Sequence, residues 1–171
     1  TGKDAPGPDE LALRDLSPLA PVFADVKVEK VFHAVEYDLI GLKRDHEIAI
    51  RNVFDTMQAA RILGYSKVGL DGLLGEKFGL QVDKRYQKAD WGRRPLPPDL
   101  LNYARLDTHY LLALRDVLHE ELAGKGLWPL AVEEFARLAN GNGNGKSEED
   151  PWQRVGRTHR LDGRQLAVLQ E

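Results

Sequence analysis

Cysteine is missing altogether from this chain of 171 residues. Disulfides and thiolate metal sites are thereby excluded, and the composition fits a reducing compartment, so a cytoplasmic location is expected. No apolar run approaches the ~20 residues that a membrane-spanning helix needs, and no signal peptide is legible, so no membrane partner is expected. An excess of one charge is also missing: 24 Lys and Arg stand against 27 Asp and Glu, for a net charge of -3. Global attraction to nucleic acid is therefore not expected, and any such binding has to come from local basic patches. What is present is charge in quantity, 30 % of residues beside 42 % apolar ones, which is the composition of a globular domain. The length suffices for one core with room for part of a second domain.

Proline, glycine and hydrophobic periodicity divide the chain. Thr1 to Glu10 is rich in Gly, Pro and Asp and reads as a linker or a cut end. Ser17-Pro18 reads as the N-cap and first position of a short helix running to about Asp25. The run Lys30-Val31-Phe32-His33-Ala34 reads as a strand, followed by a helix from about Glu36 to Asp45. Asn52 to Thr56 reads as a second short strand feeding a helix that Gly64 stops; Leu70 to Phe78 is another helix, stopped by Gly79. Residues 81–94 look irregular and basic. Apolar positions at helical spacing then run from Leu100 to Leu122, with a break expected near Arg105 to Thr108. Pro129 starts a last helix through about Ala139. Asn140 to Asp150 is a flexible linker, and 151–171, basic and ending in an apolar helical pattern, is too short to bury a core alone.

Two carboxylates stand out by context. Asp107 lies four residues after Tyr103 in the helical run Tyr103-Ala104-Arg105-Leu106-Asp107, which sets a phenol and a carboxylate one turn apart on one face. A carboxylate can hold a hard metal ion, and a phenol beside it can hydrogen-bond a metal-bound water. Asp38 follows a strand at the start of a helix, where α/β sites gather, although a carboxylate there also simply complements the helix dipole. His33, between Phe32 and Ala34, reads equally as a core histidine, and Asp55 as a fold residue at a strand end. In the stretch 83–94, Lys84, Arg85, Lys88, Arg93 and Arg94 face two acids, with Tyr86 and Trp91 interleaved. That pattern suits a phosphate backbone with a stacked base; the plainer reading is a solvated loop anchored by Trp91.

Four segments in order resemble the 3′→5′ exonuclease domain of ribonuclease D: His33-Ala34 with Asp38-Leu39, then Asp55-Thr56, then Asp90-Trp91 with Arg94-Pro95-Leu96, then Tyr103-Ala104 with Asp107. The Asp-Thr-His-Tyr-Leu-Leu run from Asp107 is similar to the related catalytic subunit of the nuclear exosome. The resemblance covers residues 11–139, and 151–171 is similar to the start of an HRDC domain, a helical nucleic-acid-binding module. It implies an α/β, ribonuclease H-like exonuclease fold and hydrolysis of phosphodiesters at RNA or single-stranded DNA 3′ ends with two divalent ions, Mg2+ or Mn2+. Asp107 and Asp38 match the metal-binding carboxylates, and Tyr103 matches the tyrosine that orients the attacking water. Lys84, Trp91, Arg94 and His33 match positions near the substrate.

One departure bears on activity. The family's first motif, Asp-x-Glu on an early strand, does not occur upstream of Asp38. The expected fold is accordingly N-terminally truncated, with about two strands retained and the rest mostly helical. Two carboxylates hold two divalent cations poorly, so the piece alone is expected to be weakly active or inactive. The competing readings are a non-catalytic nucleic-acid-binding protein on the same scaffold and a helical interaction module with incidental motifs.

Overall fold

Two short runs, β1 (Lys30–Phe32) and β2 (Val53–Asp55), pair in parallel in the computed structural model, which describes residues 15–141. Among the described residues they make up the sheet. Parallel neighbours need a crossover, and α2 (Glu36–His46) supplies it. Ahead of β1, a 3₁₀ turn at Ser17–Leu19 runs into α1 (Ala20–Ala24). After β2 come α3 (Thr56–Leu63), α4 (Leu70–Phe78), a 3₁₀ turn at Lys84–Lys88, α5 (Pro98–His109), α6 (Leu111–Gly124) and α7 (Trp128–Ala139). This is a mixed α/β chain, mostly helical, with a small parallel sheet. No helix among the described residues is long and apolar enough to cross a membrane.

Most helix ends fall where punctuation put them. Gly64 and Gly79 close α3 and α4 at φ 84° and 67°, a left-handed conformation that costs glycine nothing. Three boundaries differ from expectation. Ser17 caps no helix; it lies inside the 3₁₀ turn, and its N–H donates to the Asp15 carboxylate at 2.9 Å. β1 stops at Phe32 rather than Ala34, because Ala34 turns left-handed at φ 60° and cannot continue a strand. The break in the long helical stretch falls at Tyr110, just beyond the expected Arg105 to Thr108. The linker-like ends and the HRDC-like segment lie outside the described residues.

The chain forms two units. Among the described residues, the larger is built from Asp15–Val82 and 106–141, and the smaller is Asp83–Arg105. In the larger unit, Phe54 is fully buried, with its ring 4.9 Å from Phe135 and 6.2 Å from Trp128. Leu114, Leu118 and Leu122 recur every fourth residue of α6 and are fully buried in the same core. Each such leucine contributes about 2 kcal/mol by leaving water. A second cluster, Val35, Ile48, Ile50, Val53 and Leu138, anchors both ends of α2. Lys77 and Glu121 tie α4 to α6 at 2.6 Å, both bonded to the Tyr65 hydroxyl. Arg115 of α6 clasps Glu29, just before β1, at 2.6 Å.

Candidate active site

The register of the two strands decides what meets at their C-terminal ends. Phe32 stands opposite Asp55, so the next residues, His33 and Thr56, fall side by side. The His33 Nδ1 lies 2.9 Å from the Thr56 hydroxyl, and that hydroxyl donates to the Phe32 carbonyl at 3.0 Å. Asp55 is fully buried. Its carboxylate accepts from the Val35 N–H at 2.7 Å, the Ala34 N–H at 3.3 Å and the Gln58 N–H at 2.9 Å. Val35 is the cap residue of α2, and Gln58 lies in the first turn of α3. One negative group therefore satisfies orphan donors at the starts of two helices, where the dipole favours it. The same bonds hold Ala34 in its left-handed turn, which sends the chain from β1 into α2.

Asp38 sits in the first turn of α2 and keeps contact with solvent. Partial desolvation raises its pKa, and the Asp55 charge adds to the rise. Burial lowers the pKa of His33, against the pull of Asp55 and then Asp71. The Asp55 charge thus acts on both residues, upward on each. Open α/β sheets bind ligands at the C-terminal ends of their strands.

Asp107 is exposed in the last turn of α5. A carboxylate there opposes the helix dipole, so helix stability does not account for it. Tyr103 lies in the same helix one turn earlier and is only 8 % exposed. Within the smaller unit its ring packs 5.7 Å from Tyr86 and 5.9 Å from Trp91. The Trp91 indole N–H is buried and has no hydrogen-bond partner among the described residues. Arg94 is exposed, and its guanidinium donates to its own loop, at Trp91 O (2.9 Å) and Arg93 O (2.8 Å). Lys84 is exposed at the start of the 3₁₀ turn. Arg85 is tied to Asp83 at 2.6 Å.

The structure therefore brings His33 and Thr56 together at the strand ends beside the buried Asp55, and Trp91 and Tyr103 together in an aromatic group. Thr56 escaped the sequence reading as a partner of His33, since nothing short of the strand register reveals it. Oxygen donors such as Asp38 and Asp107 suit a hard divalent ion. Among the described residues, however, no group of three or more His, Asp or Glu converges to hold a metal. The described residues do not by themselves make a complete metal site.

Residues 2–123 of this mixed α/β chain match the model of the 3′-5′ exonuclease family, a class of nuclease. The chain belongs to that family. It is 44 % identical over 119 residues to exosome complex component 10 of Rattus norvegicus, a match that takes in 69 % of this chain and 13 % of the rat protein. The catalytic core of RRP6 from Trypanosoma brucei superposes with a TM-score of 0.69 at 31 % identity, covering 85 % of this chain and 41 % of that one. Escherichia coli RNase D, an exoribonuclease involved in structured RNA processing, superposes with a TM-score of 0.69 at 29 % identity, covering 91 % of this chain and 42 % of its own. The chain thus spans a minor part of the length of these relatives. Enzymes of this family depend on divalent metal ions.

Proposed function

We propose that the chain contributes the second and third carboxylate motifs of an RNase D/Rrp6-type exonuclease that hydrolyses phosphodiesters at an RNA 3′ end and releases nucleoside monophosphates. The observation that carries this reading is the family match over residues 2–123. Asp38 and Asp107 are the metal ligands in this proposal, for two divalent ions, Mg2+ or Mn2+. Bound there, such ions would supply positive charge to an in-line displacement at phosphorus. Tyr103 orients the attacking water through its hydroxyl. Lys84 and Arg94 offset phosphate charge, Trp91 stacks on a base, and His33 faces the terminal nucleotide.

Two carboxylates leave most of a divalent ion's coordination to water, so the chain alone is expected to be weakly active or inactive. A non-catalytic RNA-binding role on the same scaffold is the second reading, favoured by the lack of a converging acidic group among the described residues. A 3′-labelled single-stranded RNA, incubated with the full chain and Mn2+, tests both. Residual turnover should fall at least about a hundredfold in Asp107→Asn, since metal-held charge contributes several kcal/mol to such transition states. Rapid turnover that Asp107→Asn abolishes would retain the exonuclease and reject the inactivity. RNA binding with no turnover at any Mn2+ concentration would favour the binder.

A further inference from the structure

The hydrogen-bond chain at the strand ends fixes the state of one histidine. A hydroxyl has a single hydrogen to give. That of Thr56 goes to the Phe32 carbonyl at 3.0 Å, which can only accept. The 2.9 Å contact between Thr56 Oγ1 and His33 Nδ1 is then a hydrogen bond only if the imidazole supplies the proton. Nδ1 carries the hydrogen, and the neutral ring presents Nε2 as a bare lone pair. No described residue hydrogen-bonds Nε2. Burial holds the ring toward its neutral form against the charges of Asp55 and Asp71, and the Arg61 charge adds to the same downward push. Phe32–His33–Thr56 is thus a relay just past the C-terminal ends of the two strands that leaves Nε2 as an acceptor.

We propose that His33 Nε2 accepts a hydrogen bond from a hydroxyl of the 3′-terminal ribose, with Thr56 as the positioning residue that fixes the tautomer. The inference rests on the exonuclease reading for its choice of ligand. Phosphate oxygens carry no hydrogen at neutral pH and would meet the lone pair unfavourably. Base amino groups differ from one nucleotide to the next. The 2′- and 3′-hydroxyls are donors that every ribonucleotide 3′ end shares, and either can serve an acceptor at this position.

The test uses the full chain and nucleoside 5′-monophosphates, each with its 2′-deoxy and 3′-deoxy counterpart. Long-range ¹H–¹⁵N spectra should show His33 with a protonated Nδ1 and an unprotonated Nε2, and Nε2 should shift as ribonucleotide binds. Loss of one of the two hydroxyls should weaken binding about tenfold, the worth of one hydrogen bond. His33→Ala should cost the same factor on the ribonucleotide and erase the difference between sugars. Thr56→Val should mix the tautomers in the spectrum and shrink the sugar preference. An Nε2-protonated ring, no nucleotide binding, affinity indifferent to both hydroxyls, or a loss in His33→Ala that is equal for all sugars would each overturn the proposal. Hydrolysis of labelled RNA, run in parallel, separates the two ideas. Turnover without hydroxyl dependence drops the role of His33 alone, whereas hydroxyl-dependent binding through His33 without turnover drops the exonuclease.

Discussion

At the ends of β1 and β2 a fully buried carboxylate accepts three backbone N–H bonds and fixes the starts of two helices. In the segment Asp83–Arg105 the corresponding anchors are ring contacts around Tyr103 and hydrogen bonds at exposed side chains such as Arg94 and Arg85. The first region is over-determined: Asp55 cannot leave without orphaning three backbone donors, the buried Val35 N–H among them. The second is held at its aromatic centre and loose at its charged rim. Chemistry needs atoms placed to within a fraction of an ångström, whereas contact with a phosphate backbone tolerates side chains that adapt. In the proposed exonuclease, the strand ends would suit reacting groups and the basic segment a grip on nucleic acid.

The largest effect should come from removing the clamp. Asp55→Ala leaves the Val35, Ala34 and Gln58 N–H groups without their acceptor, and it should destabilise the protein by about 4 kcal/mol, since bonds to a charged acceptor are worth 1.5–3 kcal/mol each and do not add fully. Asp83→Ala, which removes an exposed cap of the 3₁₀ turn, should leave the urea midpoint of the full chain nearly unchanged. Equal midpoint shifts for the two variants would erase the contrast between the regions.

The next effect should appear in binding rather than stability. Trp91→Leu keeps an apolar side chain against Tyr103 but removes the indole face, and it should weaken single-stranded RNA binding about tenfold, within the 1–3 kcal/mol that a stacked base contributes. A titration at two salt concentrations checks it: the affinity should drop while the salt slope, set by Lys84, Arg94 and their neighbours, stays as it was. A changed slope with unchanged affinity at low salt would make Trp91 a packing anchor only.

Much of this arrangement could be read before the structure. Glycines at 64 and 79 and the periodicity of Leu114, Leu118 and Leu122 placed α3, α4 and α6, because local geometry and a single buried stripe dictate them. Asp107 and Tyr103 stood out through their four-residue spacing on one helix face, and Asp38 through its place after a strand at the start of a helix. The pairing of His33 with Thr56 did not, because it depends on a parallel register set by residues 20 or more positions apart. Asp55 was legible as a strand-end fold residue, yet nothing local says that it reaches across to α2. Residues 81–94 read as irregular for a related reason: ring contacts between Trp91, Tyr86 and Tyr103 leave no period in the sequence.

The smallest effect concerns the bend that the clamp enforces. Ala34 holds φ 60° with its N–H on Asp55. A left-handed alanine costs roughly 1–2 kcal/mol, which glycine avoids. Glycine in turn loosens the unfolded chain, worth roughly 0.4–1 kcal/mol in the opposite direction. The balance favours the native state, so Ala34→Gly should raise stability by about 0.5 kcal/mol, read as a higher urea midpoint with an unchanged slope. The gain depends on the clamp. Once Asp55 is replaced by alanine, the turn is free to relax out of the left-handed region, and the same glycine should then give no gain. A double-mutant cycle over the two positions measures that dependence. A glycine effect of the same size with and without Asp55 would mean that the bend is set by the packing of Val35 in the second core, and that the carboxylate only decorates it.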